Sequence, residues 1–257
     1  MLIFQAIGDW PRTAVRANWT ADSRPIVPHV EQLIDAAWRQ ASARPGVHLF
    51  DGPMCRLEGW DASPDRLELR LSKTSYKAFL GTNLCHPELA DSFGRQILAN
   101  PVGVSPLLLS SDGFIMMGRR NDSVAYYPRR IHPFAGALEE RDNLDIFAAL
   151  ARELREELRL GPEQIVAARC TGIAEDISIR QPELILRAAT TLTRAQIKGQ
   201  LDAAEHESAW SIPATRRAVD AALSSPASAL LTPVAIAALL LWGHIEFGEE
   251  WFARHRP

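Results

Sequence analysis

The chain is short of the residues that build cross-linked or metal-clamped frameworks. Only 3 of its 257 residues are cysteine. Cys55, Cys85 and Cys170 are odd in number and far apart, with no Cys-x-x-Cys pair. That argues against a disulfide framework or a zinc site and fits a reducing cytoplasm. Long apolar runs are missing too. The most lipid-like stretch, Val234 to Trp242, falls short of the about 20 residues that a spanning helix needs and reads as a buried helix. The start, Met1-Leu2-Ile3-Phe4-Gln5, has neither a basic n-region nor a cleavage site, so no signal peptide is expected. Of 28 basic residues only Lys73, Lys77 and Lys198 are lysine. A net charge of −3 gives no general attraction to nucleic acid or to an anionic membrane. No Ser-His-Asp or Cys-His arrangement, repeat, linker or low-complexity segment is legible.

What is present is an ordinary globular composition, 47% hydrophobic and 23% charged, with length enough for one large domain or two small ones. Residues 1–47 are hard to place apart from a helix over Val30 to Ala43. Strands are expected through Arg56-Leu57-Glu58 and over Arg66 to Leu71, where Leu67, Leu69 and Leu71 alternate with charged or polar residues. A short helix and a loop at Gly81 follow, then a helix over Asp91 to Leu98. Asn100-Pro101 marks a junction, giving an N-terminal lobe over 1–100 and a second domain over 101–257. Val102 to Leu109 and Gly113 to Gly118 read as a hairpin. Gln164 to Ile173, Glu183 to Leu192 and Ala209 to Ile212 read as strands, and Leu184-Ile185-Leu186 has the continuous apolar character of a sheet covered on both faces. Helices are expected over Thr193 to Leu201, Pro213 to Leu223 and Pro233 to Phe247. The order makes an α/β fold, a mixed sheet between helices.

One stretch carries chemistry. Ile146, Phe147, Leu150, Ala151, Leu154 and Leu158 recur at helical spacing, with Asp142 and Asn143 available as caps and Asp145 in the first turn. Glu153, Glu156 and Glu157 share a flank of that helix, where like charges cost roughly 0.2–0.5 kcal/mol per pair. A divalent cation would reverse that cost, and hard oxygen ligands suit Mg²⁺, with Mn²⁺ as a substitute. The same residues also fit a solvated amphipathic helix in which Arg152 and Arg155 pair with Glu156. Arg119, Arg120, Arg129 and Arg130 lead into this region and can grip phosphate oxygens. Glu205 and Glu207 offer further carboxylates from a turn in which His206 reads as a turn residue. Tyr76, Phe79 and Asn83 can bind a base or a sugar, or can be core aromatics and a turn.

The segment from Gly136 to Leu160 resembles the Nudix box, which runs Gly, five residues, Glu, seven residues, then Arg-Glu-apolar-any-Glu-Glu-any-Gly-apolar. Gly136 to Arg152 is two residues longer than that standard, Asp142 or Asp145 stands in for the mid-box Glu, and Arg159 takes the place of the final Gly. Outside the box, Leu49-Phe50-Asp51-Gly52-Pro53, the run from Thr74 to Asn83, Asn100-Pro101-Val102-Gly103-Val104, Gly172-Ile173-Ala174 and Glu205-His206-Glu207-Ser208 are similar to the UDP-glucose/UDP-galactose diphosphatase branch of the Nudix hydrolases. The resemblance implies an α/β/α sandwich behind a smaller α+β lobe, and Mg²⁺-dependent cleavage of a UDP-sugar to UMP and a sugar 1-phosphate. It implies Gly136, Glu153, Glu156 and Glu157 as metal ligands and Arg152 as the residue that orients them. Arg152, Glu153 and Glu157 are then the expected catalytic residues, and Arg119, Arg130, Tyr76, Asn83 and Glu207 the expected substrate contacts. The expected partner is a small nucleotide-sugar, with no nucleic acid or membrane, on a monomer or homodimer. Two other readings stay open: a Nudix hydrolase of another nucleoside diphosphate derivative, and a Nudix module that senses a nucleotide without cleaving it.

Overall fold

The computed structural model describes residues 2–44, 48–224 and 226–256. In chain order the strands are β1 (Leu2–Pro11), β2 (Val15–Trp19), β3 (Pro53–Ser63), β4 (Arg66–Ser75), β5 (Gly103–Leu109), β6 (Phe114–Arg120), β7 (Ile131–His132), β8 (Gly136–Ala137), β9 (Ile165–Asp176), β10 (Gln181–Thr190) and β11 (His206–Pro213). The helices are α1 (Pro28–Ser42), α2 (Tyr76–Phe79), α3 (Leu89–Phe93), α4 (Ile146–Leu158), α5 (Arg194–Gln200), α6 (Arg216–Ser224), α7 (Pro233–Phe247) and α8 (Glu249–His255).

The large sheet runs β1-β9-β10-β5-β6-β11, with β7 added to β6 and β8 to β5. It is mixed, as expected: β10 and β5 pair in parallel, while β1–β9, β9–β10, β5–β6 and β6–β11 are antiparallel. Side chains alternate faces along a strand, and β10 shows the consequence. Leu184 and Leu186 join the core beneath α4, together with Leu150, Leu154 and Leu158 of that helix. Ile185 joins the core on the opposite face with Leu239, Leu240 and Trp242 of α7. The apolar run in β10 is thus covered on both sides. α7 is buried nearly all round because the sheet, α6 and α8 enclose it. No helix of the described residues is long and apolar enough to cross a membrane. A smaller sheet, β2-β4-β3, turns Leu67, Leu69 and Leu71 into the α4-side core.

Three local expectations need correction. Residues 2–11 form an edge strand of the large sheet, so the start of the chain packs with β9 rather than with the segments that follow it. Register shifts between Phe4 and Ala6 and between Ile7 and Trp10 break the period of two that would have announced it. There is no loop at Gly81. The chain stays helical through Leu84 in a wider turn, closed by Cys85 N–H to Leu80 C=O at 3.1 Å, and a Cβ on Gly81 would lie 2.5 Å from Ile34 Cα of α1. The helix expected over Asp91 to Leu98 is cut at Gly94, whose φ of +80° ends α3.

Candidate active site

α4 brings the acidic residues to one end of the large sheet. Asp145 is its cap, accepting the N–H groups of Phe147 at 2.9 Å and Ala148 at 3.3 Å. Asp142 and Asn143 are not caps of this helix. Asn143 and Leu144 are both left-handed, with φ of 53° and 60°, and Asp142 faces Arg152 instead. Gly136 to Asp142 keeps the standard five-residue interval, so the two extra residues fall between Asp142 and Arg152, where the chain makes that left-handed bend. At the other end the helix stops on Arg159, also left-handed at φ 57°, a conformation glycine adopts at lower cost.

Arg152 is the hub. Its Nε and Nη2 donate to the two oxygens of Asp142 at 2.9 and 3.0 Å, Nη2 also donates to the Ala137 carbonyl at 2.8 Å, and Nη1 donates to Glu153 Oε1 at 2.5 Å. Burial works against its charge, but Asp142 and Glu153 outweigh it and hold the guanidinium above its usual range. Glu153 lies against Gly136. A Cβ at that glycine would stand 2.0 Å from Glu153 Oε1, so only glycine lets the carboxylate approach the loop backbone. Burial pushes Glu153 up to about 8, although Arg152 pulls the other way.

Glu157 points to β11. Its Oε2 lies 2.5 Å from His206 Nε2, and its Oε1 is buried with no partner. Burial, reinforced by the Glu205 charge, raises the Glu157 carboxyl well above its ordinary range. His206 is not a plain turn residue: it opens β11, is 2% exposed, and packs where Gly118 leaves room for its ring. Burial lowers it to about 4. Glu157, Glu205 and His206 offer ligand atoms within 4.8 Å of one another. The orphaned Glu157 oxygen and this mostly oxygen donor set fit a divalent cation.

The three helical glutamates do not converge on a single point. Glu156 is exposed, 3.4 Å from Arg152 and 3.6 Å from Arg141. Among the described residues, the group close enough to share an ion is Glu157 with Glu205 and His206.

Beside this cluster lies a cleft of about 390 Å³, bordered by Gly136, Glu205 and Arg120. Tyr76, Phe79 and Tyr126 wall it in series, with ring centres 6.3 Å apart at each step, the first pair tilted and the second edge-to-face. The Arg120 guanidinium sits 4.8 Å from the Tyr126 ring centre, and its Nε has no partner.

Of the expected substrate contacts, Tyr76 lines the cleft and the others do not. Asn83 is fully buried. Its amide donates to the Ile179 and Arg180 carbonyls and its oxygen accepts from Asn100 N–H, so it ties chain segments together and has nothing left for a ligand. Arg119 and Glu207 form an ion pair at 2.6 Å, both about two-fifths exposed. Successive residues of β6 face opposite ways, so Arg120 and not Arg119 meets the cleft. Arg130 is exposed outside it. Sequence reasoning overlooked Ser105, Tyr126, His132, Gln181 and Glu183, all in the cleft wall. The signal for Glu183 was available: an acid opening the apolar run of a strand covered on both faces needs a reason to be there.

No family model matches the chain. The chain is 30% identical over 200 residues to the Bos taurus uridine diphosphate glucose pyrophosphatase NUDT22, covering 65% of this chain and 68% of that protein. It is 27% identical over 278 residues to the Homo sapiens protein of the same name, covering 93% and 90%. Among solved structures, DR0079 from Deinococcus radiodurans aligns with a TM-score of 0.40 at 15% identity, over 61% of this chain and 83% of that one. The bovine likeness places the family: the chain belongs to the Nudix hydrolases.

Proposed function

We propose that this Nudix diphosphatase hydrolyses a UDP-sugar, UDP-glucose or UDP-galactose, to UMP and a sugar 1-phosphate with Mg²⁺ as cofactor. The observation that carries the reading is the meeting of Glu157 and Glu205 beside Gly136 at the mouth of a cleft lined by Arg120, whose Nε has no hydrogen-bond partner among the described residues. The likeness to the bovine uridine diphosphate glucose pyrophosphatase supports the choice of substrate.

In this reading Glu157 and Glu205 would hold the cation facing the Gly136 carbonyl, and Glu153 and Glu156 would complete its ligand set by turning from their present arginine partners. A bound divalent cation supplies neutralisation of the diphosphate charge and a more acidic water. Arg152 keeps Glu153 turned toward the loop. Arg120 donates to phosphate oxygens, since its buried guanidinium has donor capacity to spare. Glu205, exposed at the cleft, accepts the proton of the attacking water. Tyr76 and its aromatic neighbours hold a ring of the substrate. The free cysteines suit the cytoplasm as the place of action. A division near Asn100 is proposed between the smaller sheet with its helices and the segments that carry the acidic helix, with β1 assigned to the large sheet.

The test is a panel of nucleoside diphosphate derivatives incubated with purified protein and Mg²⁺. UMP release from UDP-glucose is expected, and its loss in Glu157→Gln. Turnover of a different nucleotide alone overturns the substrate; tight binding without any turnover overturns hydrolysis.

A further inference from the structure

Part of the cleft wall has no task in the reading above. Glu183 is 3% exposed, lines the cleft, and forms no ion pair among the described residues. Its Oε2 accepts the Ser105 hydroxyl at 2.9 Å. Gly103, its register partner on β5, makes the room: a Cβ there would stand 2.1 Å from that oxygen. Gln181 lies two residues earlier on β10, and so on the same face. It is as deeply buried, also lines the cleft, and its amide oxygen has no partner. Asp176 adds its negative charge to this corner and already binds the Tyr127 hydroxyl at 2.5 Å.

The placement suits one part of a substrate. Glu183 registers with Gly103, and Gly103 with Ala137 beside Gly136. Two strand spacings therefore separate the Glu183 backbone from the glycine loop, about 10 Å. A diphosphate held at the loop would put the ring next to it over Glu183. The chemistry narrows the choice further. This corner is rich in acceptors, so its ligand has to bring donors. A uracil ring has one N–H against two carbonyls, whereas a sugar ring presents a hydroxyl donor at most of its carbons.

We propose that Glu183, with Gln181 beside it, recognises the hydroxyl groups of a sugar ring flanking the diphosphate, and so is a specificity-determining residue of this enzyme. The proposal rests on the nucleotide-sugar reading. The ring is either the hexose or the ribose.

Glu183→Gln keeps the volume and removes the acid; Ser105→Ala removes the hydroxyl that orients it. Each is compared with wild type on whichever nucleotide of the panel is turned over best, with thermal unfolding as the check on folding. Glu183→Gln should raise KM about tenfold or more and lower kcat by less, as expected for a lost hydrogen bond to a substrate hydroxyl. For a nucleotide bound without turnover, Kd should shift by the same factor. Weaker binding of the nucleotide sugar with unchanged binding of UDP assigns the hexose; weaker binding of both assigns the ribose. A KM or Kd that moves less than about threefold in folded Glu183→Gln overturns the proposal; should that variant not fold, the same result in Ser105→Ala does. Failure of wild type on UDP-glucose overturns only the substrate, because the Glu183 comparison uses the panel's best nucleotide.

Discussion

Arg152 grips Asp142 through both carboxylate oxygens, at 2.9 and 3.0 Å, with both side chains about 95% buried. Asp142 lies outside α4 and Arg152 within it, so this pair fixes the loop to the helix despite the two residues added between them. Removing the Asp142 charge takes from the buried Arg152 its two-oxygen partner and leaves Glu153 as its main compensation. Asp142→Asn is therefore expected to lower unfolding stability by about 3 kcal/mol, read from urea denaturation, and to slow turnover as Arg152 shifts on Glu153. Unchanged stability would show that the pair does not brace the loop.

Gly136→Ala asks for a methyl group where the Glu153 carboxylate lies. The expected result is a folded protein whose Mn²⁺ affinity, measured by calorimetry, falls tenfold or more, about 1.4 kcal/mol. The same affinity as wild type would separate Glu153 from the cation site.

How much of this was legible depended on how regular each element is. α4 announces itself through helical spacing, although Asp145 and not Asp142 or Asn143 caps it, α7 through its apolar run, and Thr193 caps α5 as its position suggests, accepting the Gln196 N–H. The apolar run of β10 foretold a covered strand. β1 stayed hidden because two register shifts scramble its alternation and leave Ile3 and Ile7 exposed. In the site, the acids of α4 were readable because their spacing lies within one helix. The contact of Glu157 with His206, 49 residues apart, and the placing of Glu183 opposite Gly103 come from sheet register, which no local pattern reveals. The backbone contacts of Asn83 are not legible in sequence, because a polar residue in a turn-like stretch looks the same whether it binds a ligand or its own backbone.

The carboxyls raised by burial give the metal-free protein a particular pH response. Glu183 and Glu153 move up to about 8, and Glu157 moves in the same direction. Folded chains then hold protons that unfolded chains have released, so stability falls as pH rises toward 8. His132 and His206 are both lowered by burial, which gives the opposite slope below the ordinary histidine value of 6.5. Between pH 6.5 and 8 only the carboxyl slope remains. In chelator, unfolding stability should drop across that window, by up to about 1.4 kcal/mol per pH unit for each carboxyl that stays protonated only when folded, and the melting temperature should fall with it. Saturating Mg²⁺ should flatten the drop. A melting temperature that rises from 6.5 to 8 in chelator would contradict these shifts.

Arg159 closes α4 in a left-handed conformation that suits glycine. Arg159→Gly should raise stability by roughly 0.5–1 kcal/mol and leave turnover as it was, since the side chain is exposed and outside the cleft. A loss of stability would mean that the arginine makes contacts worth more than the backbone cost.

The account turns on where a cation binds. A crystal grown with Mn²⁺ and measured at the manganese edge answers that directly. The expected result is an anomalous peak within bonding distance of Glu157 and Glu205, facing the Gly136 loop. A peak elsewhere, or none, in crystals of protein that hydrolyses its substrate with Mn²⁺ in solution, would contradict the account.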